Sequence, residues 1–316
     1  MSTKQLADIS SRGLQSRAHQ IWRYRWLYVL VLPAVVTVII FNYLPIYGLT
    51  VAFRNFNASL GVFRSPWAEP LTYNFWFLQD REFWYVMGNT VRIAVLKFVF
   101  GWPAPIIFAL LLNEISHSGF KRTVQTVSYL PHFLSWVIVA SVIYRILSFE
   151  AYSPINTIRA WFDLAPVALM GDQNFFRPLV VISAIYKEVG WETIIYLAAI
   201  SGINTELYEQ AEIDGARRLR QAWSITLPGM LPIIAILLVL QIPSILQAGL
   251  DQIYNLANAS TRRVAYITDI YVIRMGLMMG QYAVATAMGL IFSVVGFSLT
   301  LIANRISKGS VGHGIW

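Results

Sequence analysis

The chain has 316 residues, of which 57% are hydrophobic and 13% charged; soluble domains carry about 25% charged residues, so an ordinary soluble enzyme or binding module is excluded. The formal charge is +8, but the basic residues are spread over segments flanking apolar runs, which speaks for membrane orientation and against a nucleic-acid patch. The lack of cysteine excludes a disulfide framework, a thiolate metal site and a cysteine nucleophile.

Residues 1–25 carry Lys4, Arg12, Arg17, Arg23 and Arg25 against Asp8, which predicts a cytoplasmic tail that is not a cleavable signal. Trp22, Tyr24, Trp26 and Tyr28 form an aromatic belt where the first apolar run begins. Six runs long enough to cross about 30 Å of hydrocarbon predict transmembrane helices over residues 26–47, 86–112, 124–147, 178–203, 228–249 and 281–304. The first is expected to be peripheral and the other five to form one unit. Pro243 is expected to kink the fifth. The connecting segments 48–85, 148–177 and 250–279 fall outside, and both termini fall inside. Twelve Lys and Arg lie in the inside segments against eight in the much longer outside ones, so charge density supports this orientation. The expected fold is thus all-α and integral to the membrane: a six-helix domain over residues 26–304 between cytoplasmic tails at 1–25 and 305–316.

The fourth run contains Lys187, Glu188 and Glu192. A charge at a helix centre costs roughly 2.5–3.5 kcal/mol on insertion scales, so such groups face a cavity or a partner. Glu188 and Glu192 share a helical face, with Trp191 on the neighbouring stripe beside Lys187. Gln241, Ser244 and Gln247 make a polar stripe on the fifth run. A translocation path and interhelical hydrogen bonding both account for these groups. Arg92 and Lys97, in the second run, read as snorkelling or subunit-contact residues. The GxxxG at Gly276 and Gly280 is a weak packing signal. His19, His117, His132 and His313 have no metal-ligand spacing, and no phosphate-binding loop, zincin motif or nucleophile elbow is present.

Between the fourth and fifth runs lies a charged elbow. Glu206, Glu209, Glu212 and Asp214 precede Arg217, Arg218 and Arg220. Asn204 or Thr205 can cap a short helix, the early carboxylates suit its dipole, and Gly215 suits its left-handed end. A second short helix over 216–224 then runs into Leu227-Pro228.

Within this elbow, Glu209-Gln210-Ala211, Gly215 and Ile225-Thr226-Leu227-Pro228 resemble the coupling-loop signature of permease subunits of binding-protein-dependent ABC importers. The one departure is Gln210 in place of alanine. Further segments, among them NYLPIYGL, ALLLNE, VQTVSYLPHFLSW, GWETIIYLAAISGI and the closing GIW, are similar to the oligo- and polysaccharide uptake subgroup. The resemblance implies a type I importer bundle in a bacterial cytoplasmic (inner) membrane, with residues 204–227 as the coupling loop. It implies ATPase coupling through Glu209, Ala211, Asp214, Gly215, Ala216 and Arg217. It also implies a substrate pathway that includes Lys187, Glu188, Trp191, Gln241 and Ser244. The implied partners are a homologous second permease, two ATPase subunits that bind ATP and Mg, and an extracytoplasmic solute-binding protein. No cofactor or catalytic residue is expected in this chain. The implied cargo is a carbohydrate, with acidic polysaccharides such as alginate among the candidates; Lys187 suits an anion, while Glu188 and Glu192 argue the other way. A same-fold permease for another solute, an ion-driven secondary transporter and an intramembrane enzyme using Glu188, Glu192 or His132 are the competing readings.

Overall fold

The computed structural model describes residues 22–150, 152–242 and 247–311. Among these residues the chain is helical throughout its ordered elements, and its one strand-like contact is an isolated bridge between Arg54 and Trp67. The principal helices are α1 (Arg25–Phe53) and α2 (Arg81–Asn113), then α3 (Ser118–Phe133) and α4 (Trp136–Leu147). They are followed by α5 (Gln173–Ser201), α6 (Glu206–Ile213), α7 (Arg218–Gln241), α8 (Leu250–Leu256) and α9 (Tyr282–Val311).

The starts of these helices are written in the sequence. Asp80 caps α2 by accepting from the Glu82 amide at 2.9 Å, and Asp172 caps α5 by accepting from the Asn174 amide at 2.8 Å. Each carboxylate also faces the positive end of its helix dipole.

Among the described residues, length and apolarity mark four helices as spans, α1, α2, α7 and α9, or five if α3 and α4 count as one broken span. The remaining run, the fourth of the sequence, is α5. Its 29 residues give about 43 Å at 1.5 Å per residue, but Lys187, Glu188 and Glu192 make it too polar to pass on composition. The single span expected over 124–147 is corrected to two helices bent by 105°. Leu134 and Ser135 are extended, with ψ of 139° and 152°. Ser135 then caps α4, its Oγ accepting from the Ile138 amide at 3.4 Å. The fifth span is displaced: α7 starts at Arg218, inside the expected elbow, and runs unbroken to Gln241. Pro243 and its expected kink lie outside the described residues.

Packing falls into three clusters. Ile93, Ala140, Phe176, Val180, Ile253 and Leu256 join α2, α4, α5 and α8. Ala52, Phe83, Val86, Tyr271, Val284 and Met288 join the end of α1, the start of α2, the segment before α9, and α9 itself. Ile106, Ala109, Tyr196, Ile200, Met230 and Ile234 join α2, α5 and α7 near the elbow. In α1 residues 25–47 are exposed throughout, and only Val51 and Ala52 at its end are buried. The first helix is therefore peripheral within this chain, its apolar surface suited to lipid rather than to the bundle. α3 approaches α5 closely at Gly190, where a Cβ would overlap the Ser128 carbonyl. At Gly276 an added Cβ would meet Ala285 at 3.0 Å, whereas Gly280 has φ +70° and ends the turn. Only the first glycine of the GxxxG is therefore a packing contact.

Candidate functional site: a polar cavity and an exposed elbow

A cavity of about 520 Å³ opens between α2, α5, the end of α7 and the start of α8. Its polar wall is Lys97, Glu188, Glu192, Gln241, Gln247, Asp251 and Gln252. Glu188 and Glu192 share one wall, as their four-residue spacing requires. Lys97, far from snorkelling out of the bundle, points into this cavity: its Nζ donates to the Ala248 carbonyl at 3.1 Å and to Gln252 Oε1 at 2.9 Å. The Gln252 Nε2 donates in turn to the Val180 carbonyl (2.6 Å) and Ser183 Oγ (2.9 Å). Gly249, at φ +94°, lets the chain turn beside this ammonium group, since a Cβ there would lie 3.0 Å from Lys97 Nζ. Every strong polar group of this chain of contacts thus has a partner, which buried polar groups need.

Glu188 is held from behind. Its Oε2 lies 2.6 Å from His132 Nδ1, and its Oε1 lies 3.1 Å from Lys187 Nζ. Lys187 also donates to the His132 carbonyl at 2.7 Å, and its ammonium lies 5.6 Å from the Trp136 ring centre. The His132 ring stacks on Trp191 with centroids 4.4 Å apart and planes 2° from parallel. Lys187 is only 6% exposed, so it serves as counter-ion and anchor to Glu188 rather than presenting its charge to the cavity. Trp191 braces His132. Of the residues proposed for the pathway from sequence, Glu188 and Gln241 line the cavity, Lys187 and Trp191 stand in the layer behind it, and Ser244 lies outside the described residues. Lys97 and Gln252 on this wall, and His132 behind it, are not among the pathway residues read from the sequence. The only sequence signals for them were Lys97 within an apolar run and His132 beside Pro131.

The elbow is built by two caps. Asn204 Oδ1 accepts from the Glu206 amide at 3.1 Å and starts α6. At its end the Gly215 amide donates to the Glu212 carbonyl at 3.0 Å, and the Ala216 amide donates to the Ala211 carbonyl at 2.8 Å. These two bonds are those of a Schellman cap, whose central residue must be left-handed; Gly215 has φ +75°. So Ala211, Gly215 and Ala216 shape the turn, while Glu209, Asp214 and Arg217 are exposed on it. Tyr208 Oη lies 2.9 Å from the buried Thr226 Oγ1, and Arg218 donates to the Glu114 carbonyl at 3.1 Å. These bonds tie the elbow to α7 and to the end of α2. Charge patterning did not point to the apolar residues on the same surface, Ile213, Leu219 and Trp223, which are 86%, 83% and 71% exposed.

Residues 101–310 match the family described as binding-protein-dependent transport system inner membrane component. The chain is 39% identical over 292 residues to the polygalacturonan/rhamnogalacturonan transport system permease protein YteP of Bacillus subtilis, covering 92% of this chain and 90% of that one. It is 40% identical over 294 residues to protein LplB of the same organism, covering 93% and 92%. It also superposes on a chain of a bacterial alginate ABC transporter, solved in complex with an alginate pentasaccharide-bound periplasmic protein. The TM-score is 0.84 at 36% identity, over 94% of this chain and 99% of that chain. A chain of a bacterial ABC transporter involved in the import of the acidic polysaccharide alginate matches with TM-score 0.82 at 35% identity, over 93% and 99%.

Proposed function

The chain belongs to the family of binding-protein-dependent transport system inner membrane components, and from that premise we propose that it is the permease subunit of a carbohydrate ABC importer. The observation that carries this reading is mechanical. α7 is one uninterrupted helix from Arg218 on the elbow to Gln241 on the cavity wall, a rod of about 36 Å. α5 makes the same connection from Glu188 to the start of α6. A force applied to the elbow therefore reaches the cavity directly along α7, and along α5 by way of the short turn at residues 202–205.

In this reading Glu209, Ala211, Asp214, Gly215, Ala216 and Arg217 form the ATPase contact together with Ile213 and Leu219. ATP and Mg are held by two partner ATPase subunits, so this chain transports without itself catalysing. Lys97, Glu188, Glu192 and Gln241 form its share of the substrate path. A homologous second permease closes the cavity, and an extracytoplasmic binding protein delivers cargo at the end away from the elbow. Both termini are cytoplasmic, the membrane is a bacterial inner membrane, and residues 26–304 act as one transmembrane domain. The cargo class we infer is an oligosaccharide of an acidic polysaccharide. The polygalacturonan and alginate systems among the relatives support it, and so do amide and carboxylate groups suited to sugar hydroxyls. Glu188, Glu192 and Asp251 outnumber Lys97 on this wall, so cation contacts to a uronate fall to the second permease and to groups outside the cavity.

The test is to purify the chain with its native neighbours and measure ATP hydrolysis with saccharide-loaded binding protein. Co-purification of an ATPase stimulated by one loaded saccharide supports the reading, and a chain isolated alone and inert toward ATP removes it. Within the same assay Lys97→Met and Gln241→Ala are each expected to lower uptake about tenfold. That corresponds to roughly 1.4 kcal/mol, the scale of one hydrogen bond to a charged group. ATPase retention should not change. Uptake unaffected in both variants would exclude this cavity from the path.

A further inference from the structure

At the end of the bundle away from the elbow, two cavities of about 460 and 520 Å³ share a wall made by Ala259, Arg262, Tyr266 and Arg274. The location is fixed by α5: Gln173 at its start donates to the Ser260 carbonyl at 2.9 Å, whereas its other end leads into α6, about 43 Å away. Arg263 also lines the first cavity, with its guanidinium 5.9 Å from the Tyr85 ring centre. Three guanidinium groups therefore converge on one concave surface, and the carboxylate among its lining residues is Glu82. Glu82 occupies Arg274, at 3.0 Å, while Arg262 makes no hydrogen bond or ion pair with the described residues.

The backbone under these arginines is fixed in advance. Asn258 Oδ1 accepts from the Ser260 and Thr261 amides, both at 3.0 Å. The Arg263 carbonyl accepts from Tyr85 Oη and Asn89 Nδ2, both at 3.0 Å. Tyr266 Oη accepts from Arg274 at 2.9 Å, which holds that ring at the junction of the two cavities. Such a cluster runs against the usual depletion of Lys and Arg from segments on the far side of a membrane, so orientation does not account for it.

We propose that Arg262 and Arg263, with the rings of Tyr85 and Tyr266, form a receiving site for the carboxylates of an acidic oligosaccharide before it enters the bundle. The proposal rests on the carbohydrate-importer reading and adds a site to it. A planar guanidinium matches a carboxylate with two parallel hydrogen bonds, which an ammonium group does not reproduce. Tyrosine faces cover the apolar face of a sugar ring while their hydroxyls stay wet. Each cavity is within the range of about 300–1,000 Å³ that small-molecule sites occupy. α8 borders both the second of these cavities, through Tyr254, and the central cavity, through Gln252. A saccharide seated at the arginines thus lies one short helix from the transport wall. The arginines also supply the positive charge that the central cavity lacks.

The experiment uses the whole transporter in nanodiscs without its binding protein, with tetragalacturonate as acidic probe and maltotetraose as neutral control, titrated calorimetrically at low and high salt. The unmodified transporter is expected to bind tetragalacturonate, more weakly at high salt, and not maltotetraose. The pair Arg262→Gln, Arg263→Gln is expected to weaken that binding at least about tenfold, and the pair Arg262→Lys, Arg263→Lys to fall between. Recovery of each variant with its ATPase controls for assembly. No tetragalacturonate binding by the unmodified transporter overturns the proposal, as does unchanged binding by the glutamine pair. Loss of affinity for the binding protein alone also overturns it and reassigns the arginines to an acidic protein surface. Failure of every loaded binding protein to stimulate ATP hydrolysis strikes the importer reading instead, and is read in a separate measurement.

Discussion

Gly215→Pro is expected to abolish uptake and release the ATPase while the chain still inserts into the membrane. Two faults coincide at this position. Gly215 has φ +75°, whereas proline is locked near −65°. Its amide also donates to the Glu212 carbonyl at 3.0 Å, and proline has no amide to donate. The combined cost is about 3 kcal/mol or more, which by itself lowers the population of the correctly formed elbow about a hundredfold. Gly215→Ala keeps the amide and suffers only the left-handed strain, about 1–2 kcal/mol, so partial uptake is expected. Glu209→Lys should act differently, since it leaves the turn intact and reverses a charge at the positive end of α6. Uptake assays with ATPase pull-down distinguish these cases. Proline and alanine variants that transport alike would show that the Schellman turn is dispensable.

The second large effect is expected at Gly190, whose missing Cβ allows the Ser128 carbonyl to rest against α5. Gly190→Val must push α3 away as backbone, because the obstructing atoms cannot rotate aside, and overpacking of this kind costs about 3 kcal/mol. It also reaches the site: His132 follows at the end of α3 and pairs with Glu188, two residues before Gly190, at 2.6 Å. Yield of assembled transporter and its thermal midpoint should both fall. Gly88→Ala is the matched control, because nothing lies within 4 Å of a Cβ there. Gly229→Ala is intermediate, since it meets only the Ile203 side chain, at 2.7 Å, and that side chain can change rotamer. Equal stability of the Gly190 and Gly88 variants would contradict the close approach.

The elbow was the most legible part of the chain because its determinants are local. Asn204, Ala211 and Gly215 act within a few residues of one another, and a positive-φ turn demands glycine whatever surrounds it. The clustering of Glu188 and Glu192 on one face was equally legible, from helical spacing. The break at Leu134–Ser135 was not, because hydropathy measures how apolar a run is and not its direction. Pro131 and the capping Ser135 were present but are consistent with a continuous span. Lys97 was misread for a different reason: its acceptor on Gln252 is 155 residues away, and no local pattern reports such a pair. The counts of apolar runs and of apolar helices diverge at α5 because the charges that give it a site also remove it from the class of purely apolar helices. The exposed Ile213 and Leu219 were hidden by the charges around them.

The packing clusters divide along the length of the bundle, one beside the elbow and two at the other end. The cluster of Ile106, Ala109, Tyr196, Ile200, Met230 and Ile234 fastens α2, α5 and α7 beside the elbow as one block. The clusters at the other end fasten α2 and α5 to α4, α8 and α9 and take no residue from α7. α7 leaves the block beside the elbow packed along α9, with Val239 buried near its end, and its last residue, Gln241, lines the cavity. Arg218 on the elbow and Gln241 on the polar wall are two ends of one packed helix, so a displacement of the elbow along that axis is carried to the wall instead of being absorbed between them.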